Sequence, residues 1–169
     1  MRSQSINGNK YFMLCINDYS RMKWVQFLKH KSEALDMFKV FKNQVENQIG
    51  GRIKCLRSNR GGEFTSEDFT KYYEKHGIRR QLSAARTPQQ NGVVERKNRT
   101  MQEMIRTMLI ESKVVDRFWK ETIHTTIYIQ NRCMLRPNEN KTPYEMWFDR
   151  RATIRHFKVF GSKCYIKRT

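Results

Sequence analysis

The chain has 169 residues and is strongly basic, with 34 lysines and arginines against 16 acidic residues and a formal net charge of +18. This length is that of about one domain and suffices to bury an apolar core. The charge favours polyanionic partners such as nucleic acids, and no apolar run approaches the roughly 18 residues that span a bilayer. We therefore expect a soluble intracellular protein that contacts no membrane.

The first part of the chain predicts a hairpin and a helix. The hairpin strands are the apolar run Tyr11–Ile16 and its partner Lys23–Leu28, joined by turn residues between them. Ser32 is the expected cap of the helix that follows, and Gly50 ends it. Five apolar residues of this helix recur at helical spacing and should face the core: Leu35, Phe38, Phe41, Val45 and Ile49.

The remaining segments predict two further strands and four further helices. Strands are expected at 52–58 and 78–82, and helices at 66–76, 93–112, 116–132 and from about 141, with a polar loop over 84–92. Gly77 should end the helix over 66–76. Thr142 and Pro143 are a cap and a first helical residue for the last helix. This order of elements identifies a mixed α/β class.

The cysteines and the tail add little chemistry. Cys15, Cys55, Cys133 and Cys164 form no Cys-x-x-Cys pair and stand among apolar neighbours, so we expect buried thiols, no disulfide and no zinc. The last segment, 150–169, has seven lysines or arginines and no acid, and part of it (157–166) alternates weakly like a strand. Its charge fits a solvated surface and a DNA contact equally well. We expect one domain over 1–149 and the start of another segment at 150.

Two motifs stand 36 residues apart. Asn59 lies in Leu-Arg-Ser-Asn-Arg-Gly-Gly-Glu-Phe (56–64), and Glu95 lies in Gly-Val-Val-Glu-Arg-Lys-Asn-Arg-Thr (92–100). Together with shorter matches at 11–12, 18–21, 87–92, 118–119, 131–132 and 141–144, they resemble the catalytic core of copia-type retrotransposon integrases. That family belongs to the D,D-35-E group of ribonuclease H-like enzymes. The resemblance covers nearly the whole chain and implies a five-stranded mixed sheet flanked by helices.

The resemblance implies metal-dependent joining of DNA, but the site residues depart from the family. Three carboxylates of the family hold two Mg²⁺ or Mn²⁺ ions; Glu95 matches the glutamate, whereas Asn59 replaces the second aspartate. The first aspartate would precede Met1, so the central strand that carries it is also expected to be missing. Neither Asp18 nor Glu63 matches a catalytic position. Because hard cations prefer charged oxygens, we expect weak or no metal binding, with Glu95 the only retained ligand.

Contact with DNA requires less specific chemistry than catalysis. The loop and long helix carry eight basic residues: Arg79, Arg80, Arg86, Arg96, Lys97, Arg99, Arg106 and Lys113. Phosphates need only positive charge and hydrogen-bond donors. In integrases the corresponding loop and helix approach the DNA, which makes the candidate contacts Arg86, Gln90, Arg96, Lys97, Arg99 and Arg106.

These observations predict a nuclear, integrase-core-like domain that binds the DNA backbone and lacks catalysis. Two alternatives stay open. The chain could join or inhibit intact integrase multimers, including copies of itself, or it could be a fragment of a decayed element with no selected function. An active strand transferase would need an upstream segment that supplies the missing aspartate.

Overall fold

A computed structural model describes residues 4–58, 61–82 and 88–165, without the side chains of residue 63 and of residues 88–98. Its elements in chain order are β1 (Tyr11–Ile16), β2 (Lys23–Leu28), α1 (Ala34–Ile49), β3 (Cys55–Ser58), α2 (Glu67–His76), β4 (Arg79–Leu82), α3 (Pro88–Ser112), α4 (Trp119–Cys133) and α5 (Pro143–Phe148). Single 3-10 turns precede α1, α2 and α4. The mixed α/β order expected from the sequence is confirmed.

The strands of the described residues form two separate two-stranded ladders. β1 and β2 are an antiparallel hairpin, in which the Asn17 amide donates to the Met22 carbonyl at 2.9 Å beside the turn. β3 and β4 pair in parallel, with Ser58 opposite Leu82, and α2 connects them. Because the two parallel strands run in the same direction, their carboxyl ends lie side by side at one edge.

The chain clusters into two compact units. The first comprises Met1–Gly8, Leu14–Val25 and Arg99–Thr169, and the second comprises Asn9–Met13 and Gln26–Asn98. The boundary between a domain and a following segment at 149/150 stays a prediction.

An aromatic cluster forms the core of the second unit. Phe38 of α1 is fully buried, and its ring lies 5.9 Å from Phe69, 6.2 Å from Tyr73 and 6.3 Å from Phe41. Such tilted and edge contacts add to the burial of apolar area. Phe38 and Phe41 are therefore core residues, as their spacing predicts. Ile49 is 47 % exposed, because it lies in the last turn of α1, beyond the reach of the cluster.

The core of the first unit is built on α4. Trp119 and Ile123 are almost completely buried, and Met101 and Ile105 of α3 are buried in the same unit. Two polar side chains of α4 donate to methionine sulfurs of α3: the Thr126 hydroxyl to Met108 at 3.4 Å and the Gln130 amide to Met104 at 3.1 Å. α3 and α4 therefore pack through a flexible methionine surface.

Most of the helix ends follow the expected signals. The Ser66 hydroxyl accepts the Phe69 amide at 3.4 Å, and Gly77 adopts a left-handed φ of 63°. At α5, the Thr142 hydroxyl accepts the Glu145 amide while the Glu145 carboxylate accepts the Thr142 amide at 2.9 Å. This reciprocal pair is a capping box, and Pro143 occupies the first turn.

Several sequence expectations are wrong at the level of single elements. Ser32 caps no helix: it lies inside the 3-10 turn before α1, and the Glu33 carboxylate accepts the Lys29 amide there at 2.8 Å. β3 begins at Cys55 rather than at 52. α3 begins at Pro88 rather than at 93, because proline needs no amide partner in a first turn and Gly92 is tolerated at a cost of about 1 kcal/mol.

The tail forms no strand within its described residues. Two tight turns occupy it instead, closed by amide bonds from Phe157 to Ile154 at 3.0 Å and from Ser162 to Val159 at 3.2 Å. All four cysteines are free thiols, but Cys133 and Cys164 are exposed. Cys133 ends α4 and Cys164 lies in the tail, so neither has a sheet to cover it.

Candidate nucleic-acid interface

Helix α3 presents a basic outer face in the first unit. Arg99 and Arg106 are seven residues apart, which is about two helical turns, and both side chains are exposed. The opposite face carries Met101, which is 1 % exposed, and Ile105, which is 5 % exposed. Burial of these two residues fixes the rotation of α3, so the two arginines must point away from the core.

The two arginine side chains are available to a ligand. Within the described part of the chain, neither guanidinium forms an ion pair or a hydrogen bond. Glu103 lies between them in sequence and is exposed. Lys113 follows the end of α3 with a left-handed φ of 53°. This stretch of helix surface is therefore positive overall, and its guanidinium groups pair with no acidic side chain that the structure describes.

Several residues that the sequence selects lie outside the described residues. Asn59 and Arg86 are among the undescribed positions, as are all of residues 83–87. For four others the structure gives the backbone but not the side chain: Gln90, Glu95, Arg96 and Lys97, all within α3. The roles of these six residues stay predictions. The structure does place the backbone of residue 95 one helical turn before Arg99, on the same element as the exposed arginines.

Position 59 follows directly after the carboxyl end of β3. That end is held in register by Arg57, whose guanidinium donates two bonds to the Gln81 side chain on β4, at 3.3 and 3.1 Å. Ser58 is the last residue of the ladder, opposite Leu82. The carboxyl ends of parallel strands are where α/β folds commonly place functional side chains, and Asn59 is the next residue in the sequence after Ser58.

Arg80 is not one of the free basic residues that its charge suggests. Its guanidinium donates to the Phe64 carbonyl at 2.9 Å and to the Thr70 hydroxyl at 3.4 Å, and it lies 5.9 Å from the centre of the Tyr73 ring. Burial raises the pKa of Tyr73 to about 12, so this phenol stays neutral at physiological pH. Arg80 fastens the segment after β3 to α2, and Arg79 beside it is exposed.

The described residues offer no ready metal site. They contain no group of three or more histidine, cysteine, aspartate or glutamate side chains close enough to hold an ion. Asp18 is exposed in the hairpin turn and pairs with Arg21. Of the two motif residues, Asn59 contributes a neutral amide and Glu95 one carboxylate. This donor set does not fit a pair of hard divalent cations, which need several charged oxygens.

A second basic surface was missed by the sequence reasoning. Four lysines line an open groove of about 780 Å³ in the second unit: Lys31, Lys39, Lys71 and Lys75. Lys31 comes from the 3-10 turn before α1, Lys39 from α1 and the other two from α2, so only folding brings them together. Lys39 pairs with Asp36 at 2.8 Å and Lys71 with Glu67 at 2.6 Å. Because acids neutralise half of these lysines, the groove is a weaker candidate than α3.

Comparison with known proteins gives family and fold. Residues 17–110 match the profile of the TnsB C-terminal domain. The Pol polyprotein of transposon TNT 1-94 from Nicotiana tabacum is 41 % identical over 165 residues, which are 98 % of this chain and 12 % of that polyprotein. The Pol polyprotein of transposon RE2 from Arabidopsis thaliana is 34 % identical over 95 % of this chain and 11 % of its own length. The chain thus spans about an eighth of these relatives.

Two solved structures show the same fold at low identity. One is the simian T-cell lymphotropic virus intasome in complex with the PP2A regulatory subunit B56 gamma, with a TM-score of 0.67 and 14 % identity, covering 94 % of this chain and 54 % of that chain. The other is the HTLV-2 integrase catalytic core domain in complex with magnesium, with a TM-score of 0.61 and 16 % identity over 80 % of this chain and 82 % of that chain. The fold is therefore that of an integrase catalytic core, which confirms the ribonuclease H-like class. No helix in the described ranges is long and apolar enough to cross a membrane.

Proposed function

The chain belongs to the TnsB C-terminal domain family, and from this premise we propose that it is an integrase-core-like domain that binds the DNA backbone without joining DNA strands. Its relatedness to retrotransposon Pol polyproteins and its integrase-core fold support DNA as the proposed partner. The proposal separates two abilities of such cores, phosphate binding and metal-dependent catalysis, because the two depend on different residues.

The exposed arginines of α3 carry the binding half of the proposal. Arg99 and Arg106 share one face of a helix that its buried methionine and isoleucine hold in place. Guanidinium groups bind phosphate oxygens with two parallel hydrogen bonds and keep their charge at any physiological pH. The formal charge of +18 adds a long-range attraction for any polyanion. No described feature of this face offers a pattern for reading bases, so we expect binding that is independent of sequence.

The binding half is tested with a matched pair of variants. Arg99→Glu/Arg106→Glu should weaken binding to a 30-bp duplex in fluorescence anisotropy and should reduce the slope of log K against log[salt] by about 2, or about 0.9 for each lost phosphate contact. Arg52→Glu/Arg117→Glu changes the net charge equally at two exposed residues that are not part of α3. Equal losses of affinity for the duplex in both variants would show that only net charge matters and would remove α3 from the proposal.

The proposed lack of catalysis depends on the chemistry of Asn59. One solved neighbour is an integrase core in complex with magnesium, and a two-metal mechanism needs carboxylates to hold the ions and to offset their charge. An asparagine at the second acidic position lowers the negative charge of the site by one and leaves one neutral oxygen. We therefore expect Mg²⁺ and Mn²⁺ to bind weakly or not at all.

A strand-transfer assay tests this half. The chain is incubated with labelled DNA ends in Mg²⁺ and in Mn²⁺, in parallel with Glu95→Gln and Asn59→Asp. We expect no product from the natural chain or from Glu95→Gln. Product that the natural chain forms and that Glu95→Gln abolishes would overturn the inactive assignment. Product from Asn59→Asp alone would identify Asn59 as the defect.

A second candidate function is association with integrase copies. Solved neighbours of this fold include a trimeric and a dimeric form of the HTLV-2 core. In the first unit of this chain, Ile110 in the last turn of α3 is 69 % exposed, and Val115, three residues after the helix, is 62 % exposed. Light scattering of the purified chain, and co-purification with an intact core in the absence of DNA, measure this association. A monomer that captures no intact core would exclude it.

We also propose a nuclear location, because chromosomal DNA is the substrate that the fold implies. Imaging of the chain with a fluorescent tag tests this, and exclusion of the tagged chain from nuclei would contradict it.

A further inference from the structure

The tail after α5 is fastened to the body of the first unit. We call residues 150–165 the strap. The Tyr128 hydroxyl of α4 lies 2.9 Å from the His156 imidazole, and the Tyr128 ring lies 5.5 Å from that of Phe157. Tyr128 is itself held by the Arg132 guanidinium, 3.6 Å above its ring. The first turn of the strap is thus docked on α4.

A glycine fastens the second turn. Gly161 has a φ of +82°, a conformation that suits glycine in the turn closed by Val159 and Ser162. A Cβ atom at this position would lie 2.5 Å from the Cβ of Ser112 and 3.3 Å from a methyl group of Val114. Only a residue without a side chain allows the strap backbone this close to the end of α3. The strap is therefore held at two points, one on α4 and one after α3.

The charge of the strap has one sign. It contains five lysines or arginines and no acid: Arg150, Arg151, Arg155, Lys158 and Lys163. Arg150 lies over the rings of Tyr144 and Phe148, and Arg151 acts on the Glu145 carboxylate, whose pKa is lowered mainly by its bonds from Thr142. The other three basic side chains are exposed and make no ion pair with any residue that the structure describes.

We infer that the strap is a second DNA-phosphate surface, docked in advance and carried by Arg155, Lys158 and Lys163. This inference rests on the proposed function but uses residues apart from α3. Docking matters because a fastened segment loses less conformational freedom when it binds than a free tail does. Phe157, the aromatic residue between the basic ones, already packs on Tyr128 and is not free to stack on an unpaired base. The surface therefore suits the backbone of a duplex.

The test separates charge from docking. Lys158→Glu/Lys163→Glu removes two contacts and should reduce the salt slope for a 30-bp duplex by about 2, whereas Lys10→Glu/Lys54→Glu makes the same charge change at exposed sites outside the strap. Gly161→Ala keeps every charge but cannot keep the turn packed against Ser112. The slope of log K against log[salt] for this variant should therefore fall toward the slope of Lys158→Glu/Lys163→Glu. His156→Ala, which loosens the other attachment, should act in the same direction and perturbs the fold less.

The outcomes are distinct. The inference would be overturned if Lys158→Glu/Lys163→Glu lost no more affinity for the duplex than Lys10→Glu/Lys54→Glu. If Gly161→Ala and His156→Ala both bind the duplex as tightly as the natural chain does, with unchanged far-ultraviolet circular dichroism, then docking of the strap has no role in binding. If the strap variants lose affinity for the duplex and Arg99→Glu/Arg106→Glu does not, the strap remains a DNA-phosphate surface and the α3 surface is rejected. The reverse result would retain the α3 surface and reject the strap. A duplex RNA that binds about tenfold more tightly than DNA would reassign the surface and overturn the inference as stated.

Discussion

Asn131 joins the β1–β2 hairpin to α4 and should be among the most sensitive polar residues of the first unit. Its side-chain oxygen accepts the Lys23 amide at 3.0 Å, and its side-chain amide donates to the Lys23 carbonyl at 2.8 Å. Asn131 is 3 % exposed and Lys23 is 6 % exposed. A single side chain thus satisfies both backbone groups of a buried strand residue, and Asn131→Ala removes both bonds without giving water access.

The magnitude follows from these two groups. A buried donor or acceptor that loses its partner costs about 1–3 kcal/mol, so the two together cost about 2–6 kcal/mol. Alanine returns about 0.5 kcal/mol through its higher helix propensity. For a chain of this size, each kcal/mol lowers the melting temperature by about 2–4 °C. We expect Asn131→Ala to lose several kcal/mol of the free energy of unfolding, a large part of the stability of a typical domain.

Urea denaturation followed by tryptophan fluorescence measures this loss. All three tryptophans lie in the first unit: Trp24, Trp119 and Trp147. Trp24 and Trp147 meet edge to face at 4.8 Å, so their emission reports the attachment of β2 directly. Gln102→Ala is the matched control, because it also removes an amide side chain from a helix of this unit but from an exposed position. Equal urea midpoints for the two variants would refute the reasoning.

Two further stability predictions use acid titration and a left-handed glycine. The pKa of Glu145 is lowered by the backbone and side-chain hydrogen bonds of Thr142, so the stability that Glu145 contributes is present above the usual pKa of 4.5 and disappears as pH falls through the folded pKa. Glu145→Gln should therefore lower the urea midpoint at pH 7 and should match the natural chain in stronger acid. A constant difference between the two urea midpoints at all pH values would contradict this. Gly77→Ala, at a φ of 63°, should cost about 1 kcal/mol in a thermal melt, whereas Gly51→Ala, with only the Ile49 side chain at 3.5 Å or more, should be nearly neutral.

Signals that act within a few residues were predicted well from the sequence. Ser66, Gly77 and Thr142 mark helix ends because each bonds to, or frees, backbone groups of its own turn. Ser32 shows the limit of this reasoning. It has the right chemistry for a cap, but the 3-10 turn before α1 moves the start of the helix past it. A cap depends on backbone angles, and these are set there by neighbours that the local sequence does not identify.

Features that depend on tertiary contacts were not predictable. Arg80 belongs to a basic stretch, yet the fold turns it toward the Phe64 carbonyl and the Tyr73 ring. The lysine groove joins the start of α1 to α2, which are separated in sequence by about one strand and one loop. Likewise, nothing near Gly161 indicates that its backbone lies against Ser112. Composition gives the number of charges, whereas the partners of each charge are decided by packing.

The motif residues illustrate a different limit. The spacing of Asn59 and Glu95 identifies the family because descent preserves order along the chain. The structure adds that β3 ends at Ser58 and that residue 95 lies in α3. A strand end and a helix can bring two such side chains to one site, but their chemistry decides what the site does. An amide in place of a carboxylate changes that chemistry without changing the backbone.

This difference is the basis of our proposal that the chain binds DNA without catalysis. Coordination of two metal ions depends on the charge and position of each ligand, so we expect the single substitution at residue 59 to weaken it. Phosphate binding depends on the sum of many weak contacts. The residues that orient Arg99 and Arg106 are Met101 and Ile105, which are buried in the first unit and do not supply metal ligands. We therefore expect an amide at position 59 to leave the residues that orient the α3 arginines unchanged, and an amide carries no negative charge that would repel the DNA backbone.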